Sequence, residues 1–206
     1  MRLILIFLLL PLANTFLLPL PPTTLLPLFS TPTSPPPTIP TNLPSSVGFD
    51  YVPLATSLAT GDYAAADQLT RDALITLAGS AEAGRAFVYF TEVKDIPKTD
   101  LATMERLWLL FSGGKFGYSV QRKIWNKPSI KGDWENFCRK VGWTTIDKDS
   151  ETERKLKWFG VSEFVYDVDR AVEGHLPLTS ALRGTALLRK LMEHPVWEDE
   201  EWMKEP

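Results

Sequence analysis

Cysteine is almost absent from this sequence: Cys138 is the one cysteine in 206 residues, so no disulfide can close within the chain. Inside "WENFCRK" it reads as a small core residue. Histidine is nearly as scarce. His175 and His194 stand far apart without Cys or His companions at ligand spacing, which argues against a protein metal site, and His175 before "LPL" reads as a turn residue. Ser119 and Ser180 have no histidine beside them in a recognisable motif, so no nucleophile, base and orienter set is visible. An excess of positive charge is also missing. Lys and Arg number 22 against 25 Asp and Glu; without Arg2 the balance is 21 against 25, or −4, the wrong sign for a general phosphate binder.

Charge disappears altogether between Leu3 and Phe49. One cation, Arg2, precedes an apolar run from Leu3 to Leu10 that breaks at Pro11, the layout of a secretory signal over residues 1–15. The run is about half the roughly 20 residues that a membrane-spanning helix needs, and Pro19, Pro21 and Pro22 interrupt any extension. Twelve of the 17 prolines lie at or before Pro53. Residues 16–49, including "STPTSPPPTIPTNLPSS", therefore read as an extended, disordered leader. Two readings of it stay open: the Pro/Thr stalk of a secreted protein, or a second address for a plastid reached through the endomembrane system. "ANTF" resembles the cleavage junction of such two-part leaders, in which a phenylalanine opens the transit portion.

From Asp50 onward mixed charge and regular apolar spacing predict a folded domain. Leu54 and Leu58, a Gly-Asp break, then Ala65, Leu69, Leu74 and Leu77 predict a helical hairpin with Asp62 as cap and Gly79 as stop, within residues 50–95. The pair resembles one tetratricopeptide-like unit, but no repeat of about 34 residues follows. Residues 96–206 form the second region. There Asp100 is expected to cap a helix carrying Leu101, Met104, Leu107, Trp108 and Phe111, Ser119 to cap "SVQRKIW", and Asp133 to cap "DWENFCRKVGW". Short amphipathic helices joined by Gly- or Pro-marked turns predict an all-α fold.

The stretch "GGKFGYSVQRKIW" places Phe116 and Tyr118 among Lys115, Arg122 and Lys123, as an RNA-reading sheet would. It lies between helical patterns, contains a glycine pair and is out of register with the RNA-recognition signature, so nucleic acid is not the expected partner. Of the seven tryptophans, Trp108, Trp125 and Trp134 lie on helical stripes and are expected in the core. Trp143 and Trp158 flank the polar link "TTIDKDSETERK" and suggest an apolar surface for a flat ligand or a partner. In "GHLPLTSALRGT", Leu176, Leu178 and Leu182 surround Arg183. Such an arginine can grip a carboxylate of an apolar acid, or make a surface salt bridge; the pattern leaves both open.

The blocks "YFTEVKDIP", "DLATMERLW", "GGKFGYSVQRKIW", "WENFCRKVGW", "EFVYDV" and "EGHLPLTSALRGT", in this order, resemble the tetrapyrrole-binding regulators of magnesium chelatase, the genomes-uncoupled-four family. The similarity spans roughly residues 85–194, and the hairpin of residues 51–79 resembles the helices before that core. The resemblance implies an all-α fold shaped like a cupped hand, the helical hairpin packed on a compact porphyrin-binding domain. It further implies a non-catalytic activator that binds protoporphyrin IX and Mg-protoporphyrin IX and works with the large porphyrin-binding subunit of magnesium chelatase in chlorophyll synthesis. No intrinsic cofactor is implied, a monomer is expected, and peripheral contact with a plastid membrane is left open. It also favours the plastid reading of the leader, in an alga with a secondary plastid.

A porphyrin is a rigid aromatic plate with two propionates on one edge, so it needs an apolar floor and an edge cation. The expected floor is Phe116, Val120, Trp158, Phe164 and Leu178, with Arg183 at the edge. The family often has asparagine where this chain has Ser180, whose hydroxyl donates a single hydrogen bond to a propionate. The rival reading is a helical scaffold that binds protein alone. The tail "HPVWEDEEWMKEP" is acidic and aromatic and fits either a partner contact or a frayed end.

Overall fold

Leucine and alanine spacing builds the first pair of helices. In α1 (Val52–Ala59) Leu54, Ala55 and Leu58 are buried, and in α2 (Tyr63–Leu77) Ala66, Ala73, Leu74 and Leu77 are. Small side chains at the facing positions let the two backbones approach closely. Asp62 caps α2 as expected, its Oδ1 accepting the Ala65 N–H at 3.0 Å. The computed structural model describes residues 37–146, 154–157, 162–179, 184–198 and 200–203; residues 36–206 form one compact unit. Trp158, Ser180, Leu182, Arg183 and residues 1–36 lie outside the described residues.

A 3-10 turn (Phe90–Asp95) leads into α3 (Lys98–Phe111). Pro97, with extended backbone, occupies the cap position expected of Asp100. Asp100 lies inside the first turn and does other work: fully buried, it accepts hydrogen bonds from Ser45 Oγ at 2.5 Å, the Ser46 N–H at 2.9 Å and Tyr51 OH at 2.9 Å. Thr103 Oγ1 donates to the Pro44 carbonyl at 2.7 Å. The leader expected to stay extended through residue 49 is thus fastened to α3 from about Pro44 onward. Ser45 Oγ also accepts the Phe49 N–H at 2.8 Å, so Ser45→Ala, which removes one donor to Asp100 and the acceptor of the Phe49 N–H, is expected to cost about 2 kcal/mol in urea unfolding.

Gly117 precedes α4 (Tyr118–Trp125), and α5 (Trp134–Lys140) starts from the expected cap, Asp133, which accepts the Asn136 N–H at 3.0 Å. The cap of α4 is not Ser119. Glu105 of α3 reaches across, accepting the Tyr118 N–H at 2.7 Å and the Ser119 N–H at 3.0 Å. The polar link is not wholly irregular, because β1 (Thr144–Ile146) and β2 (Arg154–Leu156) pair antiparallel with Thr144 opposite Leu156. The last helix, α6 (Gly184–Met192), buries Leu187, Leu188, Leu191 and Met192 against the 3-10 turn and α4. Among the described residues the architecture is all-α apart from this two-stranded ribbon.

Two aromatic groups centre the packing. Tyr63, Trp108 and Phe116 meet with the Phe116 ring 5.5 Å from Tyr63 and 6.3 Å from Trp108. Trp108 Nε1 donates to Thr70 Oγ1 at 3.0 Å and Tyr63 OH to the Phe111 carbonyl at 2.7 Å, so both polar tips are satisfied. In the second group Phe137 touches Trp125, Trp134 and Trp143 at 5.5, 5.7 and 5.8 Å. Full burial of one such ring is worth about 1.5–3 kcal/mol relative to exposure.

Candidate functional site

Phe90, at the first position of the 3-10 turn, is 47% exposed. That turn is held by Glu92. Arg85 donates to it from Nη2 at 2.5 Å and from Nη1 at 3.1 Å, Ser80 Oγ donates at 2.9 Å, and the Tyr89 N–H at 2.9 Å. These donors, Arg85 foremost, hold the Glu92 carboxyl down to about 2. The Arg85 guanidinium lies 4.8 Å from the centre of the Tyr89 ring, which adds a cation–π contact.

Facing Phe90 across a cleft of about 450 Å³ are Trp125, the last residue of α4, and Trp134, the first of α5. Their rings stand 6.5 Å apart. Because each occupies a helix end, each is only partly buried. The third wall is the outer face of α6, with Thr185, Ala186, Arg189 and Lys190. A neighbouring hollow of about 400 Å³ shares Phe90, Lys190 and Glu193 and adds Lys94 and His194. Glu193 accepts from Arg189 Nε at 3.2 Å and from Lys190 Nζ at 2.8 Å. One carboxylate therefore faces three cations, and the edge carries net positive charge. An aromatic floor beside a cationic edge suits a flat apolar ligand with anionic substituents.

Arg183 stands immediately before α6. The backbone leading to it is pinned from beneath. The Leu178 N–H donates to Asp67 Oδ1 at 2.7 Å, Gln121 Nε2 donates to the Gly174 and Pro177 carbonyls at 3.0 Å each, and Thr179 Oγ1 donates to Tyr118 OH at 3.2 Å. The described chain before position 180 is thus anchored to α2 and α4.

Four of the expected floor residues lie in the core. Phe116 and Leu178 have no exposed surface, Val120 is 3% exposed and Phe164 is 8% exposed. Phe116 was expected to face the ligand. Its N–H instead donates to Ser112 Oγ at 2.9 Å, and the turn through Gly117 swings the ring between Tyr63 and Trp108. Leu178 faces inward because its N–H is committed to Asp67. Phe164 packs 6.0 Å from the His175 ring with Lys157 Nζ above it at 6.0 Å. Trp143, expected at the surface, is buried, and its Nε1 donates to the His175 carbonyl at 2.8 Å. Conversely, Trp125 and Trp134, expected in the core, line the cleft. Their places at the two ends of the "NKPSIKGD" turn were the available signal.

Both histidines are spent on backbone. His175 Nδ1 donates to the Val141 carbonyl at 2.7 Å while its Nε2 accepts the Val165 N–H at 3.1 Å. His194 Nε2 donates to the Ile96 carbonyl at 3.1 Å while Nδ1 accepts the Val196 N–H at 3.2 Å. Burial lowers the pKa of each. Among the described residues no group of three or more Asp, Glu, Cys or His side chains is placed to hold a metal, and no helix is long and apolar enough to cross a membrane.

These features define a class: a helical module with a ring-lined, cation-edged cleft at its surface. The chain belongs to the GUN4-like family, which it matches over residues 44–195. It is 41% identical over 145 residues to the tetrapyrrole-binding protein, chloroplastic, of Arabidopsis thaliana, covering 70% of this chain and 54% of that one. It is 37% identical over 158 residues to a Ycf53-like protein of Synechocystis sp., covering 77% and 63%. The chain thus spans 54% and 63% of the length of these two curated relatives. The structure of GUN4 from Chlamydomonas reinhardtii superposes with a TM-score of 0.64 at 42% identity, over 76% of this chain and 95% of that one. Ligand-free Arabidopsis thaliana GUN4 gives 0.62 at 37%, over 75% and 98%.

Proposed function

We propose that the protein is a non-catalytic tetrapyrrole carrier that receives protoporphyrin IX and Mg-protoporphyrin IX and activates magnesium chelatase by contact with its large porphyrin-binding subunit. The observation that carries this reading is the cleft in which Phe90, Trp125 and Trp134 face the cationic side of α6. The macrocycle lies against the rings, and its propionates reach Arg183, Ser180 and the Arg189 and Lys190 edge. Trp158 adds a further ring to that floor. Phe116, Val120, Phe164 and Leu178 act from the core, fixing the backbone that carries these groups. The Arabidopsis relative's name supports the ligand class and, with the signal-like leader, a plastid address.

Titrating deuteroporphyrin while following tryptophan fluorescence tests the reading. Saturable quenching is expected. An arginine–carboxylate bond contributes about 1.5–3 kcal/mol, so Arg183→Ala is expected to weaken binding about tenfold to a hundredfold. Trp134→Ala, which removes a wall, is expected to weaken it by a similar factor while reducing the quench. Equal affinities for wild type and Arg183→Ala would remove that arginine from the site, and no quenching at all would favour the protein-binding scaffold.

A further inference from the structure

A larger cleft lies on α3 away from these tryptophans. Its volume is about 790 Å³, in the range of small-molecule sites. Its walls differ in chemistry from the first: Leu43, Leu109, Leu110 and Met203 are aliphatic, and Trp202 supplies the one aromatic ring. Leu110 and Met203 are 40% and 51% exposed, so the apolar lining is open to solvent.

One cation, Arg106, faces this cleft. Its Nη1 donates to the Trp202 carbonyl at 3.1 Å and its Nη2 to Thr103 Oγ1 at 3.0 Å. Two of the five guanidinium N–H groups are thereby used, and the side chain is held in place. No carboxylate among the described residues pairs with it. A half-buried guanidinium without a counter-ion is costly; here burial alone lowers its pKa. The arrangement is a fixed donor fork at the edge of an aliphatic trough, and the chemistry that completes it is one carboxylate on a flexible hydrocarbon body.

We propose that this cleft binds a long-chain aliphatic carboxylate, with its carboxylate on the free donors of Arg106 and its chain along Leu109, Leu110 and Met203. The site is separate from the tryptophan cleft and does not depend on the tetrapyrrole reading. Occupying it would join α3 to both described ends of the fold, since Pro37, Leu43, Trp202 and Met203 all line it.

The test uses the full chain and the fluorescent fatty acid cis-parinarate as probe, with oleate and methyl oleate as competitors. Saturable probe binding is expected, with oleate displacing the probe at least about tenfold better than its neutral ester, because only the acid engages the guanidinium. Arg106→Gln should abolish that preference, and Leu110→Asp should remove probe binding while leaving the melting temperature near that of wild type. Saturating protoporphyrin IX should leave the probe bound. The proposal is overturned if the probe fails to saturate, if acid and ester compete equally with wild type, if Leu110→Asp binds normally, or if porphyrin displaces the probe. Should Arg106→Gln fail to fold, the acid-to-ester ratio and Leu110→Asp decide the matter alone.

Discussion

Asp67→Ala is expected to lower stability by about 3–5 kcal/mol, the cost of removing one partner of a buried ion pair. Asp67 has no exposed surface and Arg71 is 6% exposed. On successive turns of α2, Asp67 Oδ2 meets Arg71 Nη1 and Arg71 Nη2 donates to Gln68 Oε1 at 2.5 Å. The other carboxylate oxygen, Oδ1, accepts the Leu178 N–H. Burial pushes the Asp67 carboxyl up against the pull of Arg71 and that N–H, so the pair stands on geometry that a truncation cannot restore. In a unit of this size each kcal/mol shifts the melting temperature by about 2–4 °C, and a fall of roughly 6–20 °C is expected in circular dichroism melts. Asp67→Asn keeps an oxygen for Leu178 while removing the charge that faces Arg71, and should lie between alanine and wild type. The position also reaches the proposed site, because Leu178 anchors the chain two residues before Ser180. At a temperature where the asparagine variant is fully folded, its porphyrin affinity is expected to fall further than its core packing alone requires. A melting temperature within 2 °C of wild type for the alanine variant would show that the pair contributes nothing net.

The reach of sequence reasoning follows from the range of each interaction. Asp62 and Asp133 were legible as caps because each bonds an N–H three residues ahead, inside the window that a motif spans. Asp100 and Glu105 were not. Their partners lie on other elements, at Ser45, Ser46 and Tyr51 for one and at Tyr118 and Ser119 for the other, and a carboxylate on a helix stripe carries no mark of what it will meet. The three-residue strands around 144–146 and 154–156 are too short for alternation to register. The aromatics were misassigned for a related reason. A helical stripe indicates a face but not how deeply a helix end is covered, so the stripes point Trp125 and Trp134 at the core while both stay partly buried. A turn such as "GGKFG" has no period at all, so the inward swing of Phe116 left no trace. Apolar spacing and turn residues carried the all-α fold, and the six motif blocks carried the family, which periodicity could not.

Glu105 gives the second large expectation, a dependence of stability on pH. The side chain is fully buried and caps α4 from α3; a Cβ on Gly117, whose φ is +136°, would stand 2.4 Å from its Oε1, so the approach requires glycine. Burial raises the carboxyl from 4.5 to about 7, outweighing the N–H groups that favour the charged form. Between those values the folded state holds a proton that the unfolded chain has released. The contribution is therefore fully present below about pH 4.5 and is lost as pH rises through 7. At about 1.4 kcal/mol per pKa unit the loss is on the order of 3 kcal/mol. His175 and His194, with lowered pKa values, act in the opposite sense as pH falls below 6.5, so the wild-type profile alone mixes the terms. Comparison with Glu105→Gln separates them, because the histidines are common to both proteins. In urea unfolding the glutamine variant should gain on wild type by on the order of 3 kcal/mol between pH 4.5 and pH 8. A difference between the two proteins that stays constant over that range would mean that the capping carboxylate is already charged at pH 5, with the two N–H groups of α4 outweighing its burial.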